Sequence, residues 1–340
     1  MSEAGPSAGL LTVGVIGVGH LGSYHLQKYA GHGLVSEIVL FDVDGERANQ
    51  QAASVDSEHP VTVCGSLSEC LDAADAVSIA APTSEHFDLA WMAINSGCDL
   101  LVEKPIASSS EEGRSLVEAA EAADRVLHVG HVERFNPALQ ELDTTDLRPG
   151  FIEVHRLAPW NPRGTDVPVI HDLMVHDLDL ILFLVGEEPV DIQAAGVSVI
   201  TGSVDIANVR LTFPGGCVAN VTSSRISLAP MRKMRIFQRD AYLSLDLQSG
   251  SRELVRMRDA GEPLQAGEQS VMDLEERIIT RSPFKGTRDA LAVEIDAFLR
   301  AVSARREGSG VPDPPLGVSG AEAVRALKMG EEIARAIESS

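Results

Sequence analysis

The amino-acid sequence predicts an α/β protein with two domains. The first, over residues 10–131, has a parallel sheet, and the second, over residues 132–338, is an α+β domain with an open, largely antiparallel sheet. The chain has 340 residues, about the length of two domains, and 44% of them are hydrophobic. Short apolar segments alternate with helical patterns as far as residue 130, whereas beyond residue 150 one extended segment follows another. We expect the C-terminal helices to pack back near the first domain.

The first domain contains short apolar segments without a helical period, which are typical of buried strands. These predicted strands are 11–18, 37–42, 61–64, 75–81, 99–103 and 125–130. Helical patterns lie between them, and those at 84–97 and 108–124 begin with serines placed before glutamates, as helix N-termini commonly do. This alternation predicts a parallel sheet that is covered on both faces.

The second domain begins with a strand, FIEVHRLAP at 151–159, and a helix of mixed character, VIHDLMVHDLDLILFLVG at 169–186. Further extended segments are separated by turn signals, and they predict a largely antiparallel sheet. These segments are 189–200, 204–213, 217–226, 231–238 and 240–246. Residues 259–285 have an irregular pattern, and two closing helices are predicted near 287–303 and 319–338.

A glycine motif follows the first strand, where Gly17, Gly19 and Gly22 have the spacing G-x-G-x-x-G at the start of a helix. Gly17 permits the tight turn, Gly19 lets backbone N–H groups approach a pyrophosphate, and Gly22 allows close packing of helix and strand. The motif predicts a Rossmann domain in which the helix N-terminus faces the cofactor phosphates. The residues predicted to bind the cofactor here are Gly17, Gly19, His20, Leu21 and Gly22.

An acidic residue, Asp42, ends the second strand twenty residues after Gly22. Its carboxylate is placed to accept hydrogen bonds from both hydroxyls of an adenosine ribose, and a 2′-phosphate there would meet like charge. Asp44 adds a second carboxylate, and Arg47 lies a helical turn away. NAD is therefore the expected cofactor, and NADP is disfavoured.

Charge and cysteine content limit the partners and the environment. The formal net charge is −22, which argues against nucleic acids and anionic membranes as partners, because both bind basic surfaces. The N-terminal residues lack the pattern of a signal peptide, and no apolar run approaches the length of a membrane span, so we expect a cytoplasmic protein. The four cysteines are scattered without a CxxC pair, which predicts reduced thiols and no metal site.

Four segments occur in the order GVGHLGSYH (17–25), APTSEH (81–86), EKP (103–105) and DLMVHDLD (172–179). Together they resemble the glucose–fructose oxidoreductase, inositol dehydrogenase and rhizopine-catabolism family, usually written Gfo/Idh/MocA. The likeness runs from about residue 11 to the C-terminal helices. Within this family, VGHVERFNPAL (129–139) and HRLAPWNPRGTD (155–166) look most like the UDP-N-acetylglucosamine 3-dehydrogenase type of member.

The resemblance implies a second domain whose open sheet forms contacts between subunits, and hence a homodimer or homotetramer. It implies that Glu103 and Lys104 bind beside the nicotinamide, often with a cis bond to Pro105. It further implies oxidation of a sugar or cyclitol hydroxyl, or the reverse reduction. Thr83, after the fourth strand, is placed to contact the nicotinamide ribose, and His86 is a second candidate for cofactor binding.

The helix at 169–186 carries charged residues among dense aliphatic ones. At about 100° per residue, Asp172, His176 and Asp179 share one narrow stripe. The stripe has three possible roles: a satisfied buried network, a metal site, or catalysis. Alcohol oxidation by NAD needs a base for the hydroxyl proton, and histidine suits this role because its ordinary pKa lies near neutrality. The resemblance favours catalysis, with His176 as the base and Asp172 as its partner.

Lys104 is the third predicted catalytic residue, because an ammonium beside the reacting oxygen favours alkoxide character during hydride transfer. The residues predicted to contact the substrate are His131, Arg134, Trp160, Arg163 and Asp179. Either arginine can pair with a phosphate or carboxylate of a substrate. For each of these residues alone, a structural role is an equally open alternative.

The predicted function is oxidation of a secondary hydroxyl of a sugar or nucleotide sugar by NAD, and UDP-N-acetylglucosamine, oxidised at C3, is one candidate substrate. Two alternatives belong to other classes. A glycoside hydrolase can use tightly held NAD for transient oxidation without net formation of NADH, and a non-catalytic protein can bind a dinucleotide as a sensor. The presence of Lys104, Asp172 and His176 argues against the sensor.

Overall fold

The computed structural model describes residues 9–144, 147–161, 167–259, 261–273, 277–309 and 317–339. The chain forms two compact units, Met1–Val132 with Leu291–Val324, and Glu133–Ala290 with Arg325–Ser340. The stretch Leu291–Val324 thus belongs to the first unit, whereas the sequence-based bounds of 132–338 placed it in the second domain. The physical reason is its helix, which contributes Ile295, Phe298 and Val302 to the core of the first unit.

The first unit is built on a parallel sheet. Its strands are β1 Leu11–Ile16, β2 Val35–Phe41, β3 Val61–Val63, β4 Ala76–Ile79, β5 Asp99–Glu103 and β6 Leu127–Gly130. Among the described residues these six strands lie in the order β3-β2-β1-β4-β5-β6, which is the order of a Rossmann fold and confirms that prediction. The order reverses between β1 and β4, and sheets of this kind bind ligands at the carboxyl ends of the strands near that point.

Helices connect these strands, namely α1 His20–Tyr29, α2 Gly45–Ser54, α3 Leu67–Ala73, α4 Thr83–Asn95 and α5 Ser110–Ala122. Asp44, Ser66 and Ser109 cap three of them, and each side chain accepts a hydrogen bond from the backbone N–H three residues later. The start of α1 differs, because its N-cap residue is Gly19 and no described side chain caps it. Its first backbone N–H groups therefore face the space in front of the helix.

The second unit is built on a mostly antiparallel sheet, as predicted. Its strands are β7 Phe151–Leu157, β8 Asp191–Val197, β9 Ile206–Thr212, β10 Val218–Ser224, β11 Met231–Gln238, β12 Ala241–Asp246, β13 Ser251–Asp259, β14 Gln269–Asp273 and β15 Arg277–Lys285. In the described part of this unit the nine strands lie in the order β14-β15-β13-β12-β11-β7-β10-β9-β8, and the neighbours β7 and β10 run parallel. The later helices of the chain are α6 Val175–Val185, α7 Ala290–Arg306 and α8 Gly320–Glu338.

One face of this sheet packs against an apolar core, and the other carries polar side chains. Ile236 of β11 belongs to the core together with Leu178 of α6 and Met329 of α8. On the opposite face, Arg235 donates a hydrogen bond to Glu153 across two neighbouring strands at 3.0 Å. The alternation of apolar and polar residues along the strands follows from this difference between the faces.

The prediction that residues 259–285 are irregular is wrong, because β14 and β15 lie there. β14 pairs with β15, and β15 also pairs with β13. Every residue of β13 from Ser251 to Arg258 is only partly buried, and β14 is exposed throughout. A strand without one buried face shows no apolar alternation in its sequence. Backbone pairing, rather than burial of one face, therefore defines these strands.

His128 on β6 is a buried histidine of the first unit. Its ring centroid lies 5.9 Å from that of Phe298, and Gly317 packs so closely on the ring that a Cβ at this position would collide with it. Burial lowers the pKa of His128 to about 4, although Glu322 acts in the opposite direction. An unfolded histidine titrates near 6.5, so between these pH values the unfolded chain binds the proton more strongly.

We therefore expect His128 to reduce the free energy of unfolding by about 3 kcal/mol as the pH falls from about 6.5 to about 4. Urea denaturation at a series of pH values measures this dependence. His128→Asn should flatten the slope in that window, whereas His155→Asn in the second unit should not. Equal slopes for the wild type and His128→Asn would contradict the assignment.

All four cysteines are buried free thiols, as their scattered spacing predicts. Burial raises the pKa of Cys98 and of Cys217 to about 11, so these thiols stay protonated near neutral pH. In the described residues, no group of three or more His, Cys, Asp or Glu side chains is arranged to hold a metal ion. Across the same residues, no helix combines the length and the apolar character that are needed to cross a membrane.

Candidate active site

The glycine motif forms a tight turn between β1 and α1. Gly17 has a φ of +82°, and a Cβ there would lie 2.8 Å from the carbonyl oxygen of Ala80. Gly22 packs against the turn so closely that a Cβ would collide with the carbonyl of Gly17. A Cβ on Gly19, in contrast, would meet no described atom within 4 Å. Gly17 and Gly22 thus shape the turn, and Gly19 leaves space in front of the helix N-terminus.

Asp42 follows β2 with its carboxylate beside the glycine turn. Oδ2 accepts a hydrogen bond from the N–H of Val18, and Oδ1 accepts one from the N–H of Asp44, both at 2.9 Å. The guanidinium of Arg47 lies 3.4 Å from Oδ1 of Asp42 and 3.2 Å from the Asp44 carboxylate. The carboxylate is therefore held at the place where a Rossmann fold binds the adenosine ribose.

The segment Glu103-Lys104-Pro105 leaves β5 at the carboxyl end of the sheet. The bond between Lys104 and Pro105 is cis, in agreement with the implication of the resemblance. Glu103 is largely buried, with Oε1 2.9 Å from Nε2 of His25, and its Oε2 accepts a hydrogen bond from the N–H of Lys104 at 3.2 Å. The side chain of Lys104 is partly exposed, as a residue that meets a ligand must be.

His86 joins two loops, and its predicted contact with the cofactor is revised. Its Nδ1 lies 2.8 Å from the carbonyl oxygen of Pro105, and its Nε2 lies 2.9 Å from that of Ala81. The residue is 1% exposed, and both ring nitrogens face backbone oxygens rather than a ligand. Thr83, the first residue of α4, is partly exposed and keeps its place as a candidate for the ribose contact.

The other predicted ligand contacts differ in exposure. His20 and Leu21 begin α1 and are both exposed, so they can touch a bound dinucleotide. His131 follows β6 and is 2% exposed, which leaves it little surface for a substrate. Trp160, which follows β7, is 42% exposed. Arg163 lies outside the described residues.

The helix with the predicted base begins with one π-helical turn, Ile170–Met174, which is followed directly by α6. Turns of this kind are frequent at functional sites. Asp172, within the π turn, and His176, in the first turn of α6, are both partly exposed, although most of α6 is buried. The side chain of Asp172 is 32% exposed, and its Oδ2 lies 3.8 Å from Nη2 of Arg225.

The predicted stripe of polar residues does not extend to Asp179. The Asp179 carboxylate accepts hydrogen bonds from Nε and Nη2 of Arg134, both at 2.8 Å, and the two side chains are 1% and 7% exposed. The guanidinium of Arg134 also stacks over the ring of Phe183 at 4.5 Å. Both charged residues were predicted to contact the substrate, but their bidentate pairing holds each to the other instead.

Asp177 belongs to a second buried ion network on another side of α6. It accepts hydrogen bonds from Nε and Nη2 of Arg156 at 2.8 and 2.9 Å, and Nη1 of Arg156 binds Glu133 at 2.9 Å. Burial alone would lower the pKa of Arg156, but the two carboxylates raise it above its ordinary value. Loss of one partner from such a pair costs about 3–5 kcal/mol, because it leaves an uncompensated charge in the interior.

Two groups in the structure have no counterpart in the residues predicted from sequence. His25 and Ser78 lie behind Glu103 in the first unit, and Arg225 lies beside Asp172 in the second. The sequence does contain a signal for His25, because its spacing places this histidine on the same buried face of α1 as Gly22, Leu26 and Tyr29. No comparable pattern marks Arg225, which comes near Asp172 only through the fold.

Comparison with known proteins identifies the family. Residues 11–131 match the oxidoreductase family with an NAD-binding Rossmann fold, Gfo/Idh/MocA, and residues 152–243 match a Gfo/Idh/MocA C-terminal domain. The UDP-N-acetylglucosamine 3-dehydrogenase of Acidithiobacillus ferrooxidans is 40% identical over 299 residues, which cover 87% of this chain and 90% of that protein. The chain belongs to the Gfo/Idh/MocA family.

Two further comparisons agree with this membership. A solved structure of UDP-N-acetylglucosamine 3-dehydrogenase from the same bacterium has a TM-score of 0.82 and 36% identity, and the match covers 97% of this chain and 98% of that chain. An inositol 2-dehydrogenase of Saccharopolyspora erythraea is 35% identical over 190 residues, which cover 52% of this chain and 55% of that protein.

This Gfo/Idh/MocA member is an NAD-binding oxidoreductase that acts on CH–OH groups, as the sequence predicts. Its first unit fits the cofactor on three structural grounds. Gly19 leaves space before α1, the N-terminus of α1 has no side-chain cap among the described residues, and the Asp42 carboxylate is fixed beside the turn. An open, uncapped helix N-terminus suits a pyrophosphate because its N–H groups and dipole attract negative charge.

Asp42→Ala should weaken NAD binding by about tenfold or more and relax the preference for NAD over NADP, because a hydrogen bond to a charged group contributes about 1.5–3 kcal/mol. Isothermal titration calorimetry with both dinucleotides measures the change. Glu46→Gln removes a neighbouring exposed carboxylate and should leave the preference unchanged. Equal or tighter binding of NADP by the wild type would contradict the role of Asp42.

Proposed function

We propose that this chain oxidises a secondary hydroxyl of a nucleotide sugar, with UDP-N-acetylglucosamine oxidised at C3, and that hydride passes to the nicotinamide of NAD. The observation that carries the proposal is 40% identity to a UDP-N-acetylglucosamine 3-dehydrogenase over 87% of this chain and 90% of that protein. The relative named inositol 2-dehydrogenase matches a smaller part of the chain, 52%. A nucleotide sugar is therefore favoured over a free cyclitol.

In the first unit, the proposed roles concern the cofactor and charge. The N-terminus of α1 and the turn at Gly19 hold the pyrophosphate, Asp42 binds the adenosine ribose, and Thr83 contacts the nicotinamide ribose. NAD, when bound, supplies the hydride acceptor. Lys104 presents its ammonium to the hydroxyl oxygen, where positive charge stabilises the alkoxide character that develops during oxidation.

In the second unit, His176 is the proposed general base. A neutral imidazole can accept the hydroxyl proton, and histidine is the side chain that most often does so in general base catalysis. Asp172, four residues earlier and partly exposed, is proposed to orient the ring and to stabilise the imidazolium. The π turn that contains Asp172 supports this assignment, because turns of this kind are frequent at functional sites.

A screen of UDP-sugars, free amino sugars and inositols for NADH formation tests the proposal. We expect NADH with UDP-N-acetylglucosamine and little with myo-inositol. NADH from inositols alone would contradict the nucleotide-sugar assignment. Release of a hydrolysed sugar without net NADH would instead establish the glycoside hydrolase that uses NAD transiently.

We also propose that the protein is a homodimer or homotetramer that assembles through the polar face of the second unit's sheet. This face carries the aromatic side chains Phe151, Phe237 and Tyr242, whose neighbouring ring centroids are 5.9 and 4.8 Å apart. Phe237 is 38% exposed, which is more than an interior aromatic residue would be. An exposed aromatic cluster within a charged face suits a contact with a second copy.

Phe237→Glu should shift the assembly towards the monomer, because a buried carboxylate without a partner opposes association. Sedimentation velocity at micromolar concentration measures the change. Leu264→Glu, at a leucine that is 47% exposed and lies outside the strands, is the control and should leave the assembly intact. A wild-type protein that sediments as a monomer would contradict the proposal.

For the cellular location, we propose the cytoplasm. The four free, buried thiols support a reducing compartment. Cell fractionation followed by immunoblotting checks this location, and recovery in a secreted or membrane fraction would contradict it.

A further inference from the structure

A line of hydrogen bonds runs through the interior of the first unit to Glu103. Tyr29 and His25 lie on the buried face of α1 and both contact Ser78 of β4, with Tyr29 Oη 2.6 Å and His25 Nδ1 3.1 Å from Ser78 Oγ. The other ring nitrogen, His25 Nε2, lies 2.9 Å from Glu103 Oε1. Tyr29, Ser78 and His25 are each no more than 1% exposed. These contacts form a line of polar side chains where an α/β fold normally packs aliphatic residues.

With a neutral His25 ring, one arrangement of hydrogens satisfies every donor of this hydrogen-bonded line. An ionised Glu103 can only accept, so His25 Nε2 carries the hydrogen and Nδ1 accepts from the Ser78 hydroxyl. Ser78 Oγ then accepts from the Tyr29 hydroxyl. Buried polar networks with every member satisfied are rigid, whereas partly satisfied ones are costly. The hydrogen bonds of Tyr29 and Ser78 therefore determine how the ring of His25 is oriented.

At the other end of this line of hydrogen bonds, Glu103 fixes the segment that carries Lys104. Glu103 Oε2 accepts the backbone N–H of Lys104 at 3.2 Å, so the carboxylate joins His25 to the peptide that carries Lys104. Gly130 of β6 packs against the same carboxylate, and a Cβ there would lie 3.0 Å from Oε2. Glu103 thus contacts α1, β6 and its own segment, and its side chain is only 12% exposed.

Two titratable groups face Glu103, His25 from α1 and Lys104 from its own segment. Burial alone would raise the pKa of Glu103, but the interactions with His25 and Lys104 lower it below its ordinary value. At the far end of the line of hydrogen bonds, burial raises the pKa of Tyr29, and Glu294 of α7 adds to that effect. Tyr29 therefore stays neutral, and Glu103 stays an anion beside Lys104.

We propose that His25 is a positioning residue: held by Ser78 and Tyr29, it fixes the Glu103 carboxylate and through it the place of Lys104. The proposal rests on the proposed function, in which the Lys104 ammonium stabilises the developing alkoxide. Displacement of a catalytic group by about 1 Å can lower a rate by about a hundredfold. A residue that keeps this segment in place thus affects the rate of hydride transfer more than the affinity for NAD.

His25→Leu removes both hydrogen bonds of the ring, and His25→Gln keeps a donor near the place of Nε2. We expect His25→Leu to lower the pre-steady-state rate of NADH formation by about tenfold to a hundredfold, with the dissociation constant of NAD within about threefold of the wild type. His25→Gln should recover most of the rate. His32→Leu, at another histidine of the first unit, is the matched control and should leave the rate unchanged.

The dependence of the rate on pH distinguishes this role from a loss of packing, because loss of packing alone would not change that dependence. Without His25, Glu103 loses the hydrogen bond and the charge that contribute most to lowering its pKa, so protonation of Glu103 should add a loss of rate at acid pH to the one expected from the base His176. His25→Gln should reverse most of this added loss. A folded His25→Leu variant with wild-type rate and profile would overturn the proposal. If His25→Leu does not fold, Ser78→Ala applies the same test, and an unchanged rate and profile would again overturn it.

A measurement without turnover separates this inference from the proposed function. In the wild type, the lowered pKa of Glu103 makes the fold more stable at pH values above the ordinary pKa of a glutamate. In His25→Leu, the raised pKa of Glu103 should make the free energy of unfolding decrease as the pH rises from about 4.5. This change of slope should vanish when His25→Leu is combined with Glu103→Gln. Its absence in the single variant would overturn the inference even if the sugar is oxidised, and its presence would support the His25–Glu103 contact even if the substrate differs.

Discussion

Replacement of His176 by alanine is expected to lower kcat by about a hundredfold or more, because general base catalysis contributes about 10²–10⁴-fold. The binding of NAD should stay nearly unchanged, since the residues proposed to hold the cofactor belong to the first unit. Steady-state kinetics with the verified sugar substrate, together with calorimetry for NAD, measures the two effects separately. Asp172→Asn should show a smaller loss of kcat, because it keeps the shape of the side chain but not its charge.

The matched control for His176 is His171→Ala, at a histidine in the same helical segment that lies near Gly330 of α8. Its kcat should stay close to that of the wild type. Asp177 is unsuitable as a control, because it is paired with Arg156 in the buried network and its loss would destabilise the fold. A folded His176→Ala enzyme with near wild-type turnover would show that His176 is not the base.

Replacement of Lys104 by methionine is expected to lower kcat by about 10²–10³-fold, the usual effect of removing one group that stabilises a developing oxyanion. Methionine keeps most of the length and volume of the side chain and removes the charge. Both kcat and kcat/KM should decrease by the same factor, because the charge acts mainly in the transition state. The same kinetic assay measures it.

Lys328→Met is the control for charge removal. Lys328 on α8 is 55% exposed, and its Nζ is separated from Oε1 of Glu332 by the long distance of 3.8 Å. This variant should keep wild-type kinetics. If Lys104→Met raised KM and left kcat unchanged, Lys104 would contribute equally to the binding of substrate and transition state. The assignment of Lys104 to alkoxide stabilisation would then be wrong.

The first unit could be predicted closely from the sequence, because its elements have strong local signals. Buried parallel strands are short apolar runs, and the glycine motif has meaning only between a strand and a helix. The strand at 99–103 agrees with β5 residue for residue. The role of His86 could not be predicted, because its two carbonyl partners, Ala81 and Pro105, meet only when the loops after β4 and β5 are folded.

The second unit was harder to predict, for two physical reasons. The π turn at Ile170–Met174 changes the rotation per residue, so an α-helical wheel does not describe the polar stripe, and Asp179 is buried against Arg134. β14, at the edge of the sheet, is exposed along its whole length, so it lacks the alternation that marks a strand. Long-range charge pairing and edge strands both depend on partners that are distant in sequence.

In the proposed reaction, hydride leaves C3 of a UDP-linked N-acetylglucosamine and reaches NAD. The direct measurement uses UDP-N-acetylglucosamine that carries deuterium at C3, with mass spectrometry of the reduced cofactor and transient kinetics of its formation. We expect one deuterium in the NADH and slower hydride transfer than with unlabelled substrate. NADH without deuterium, formed at the same rate from labelled and unlabelled sugar, would contradict it.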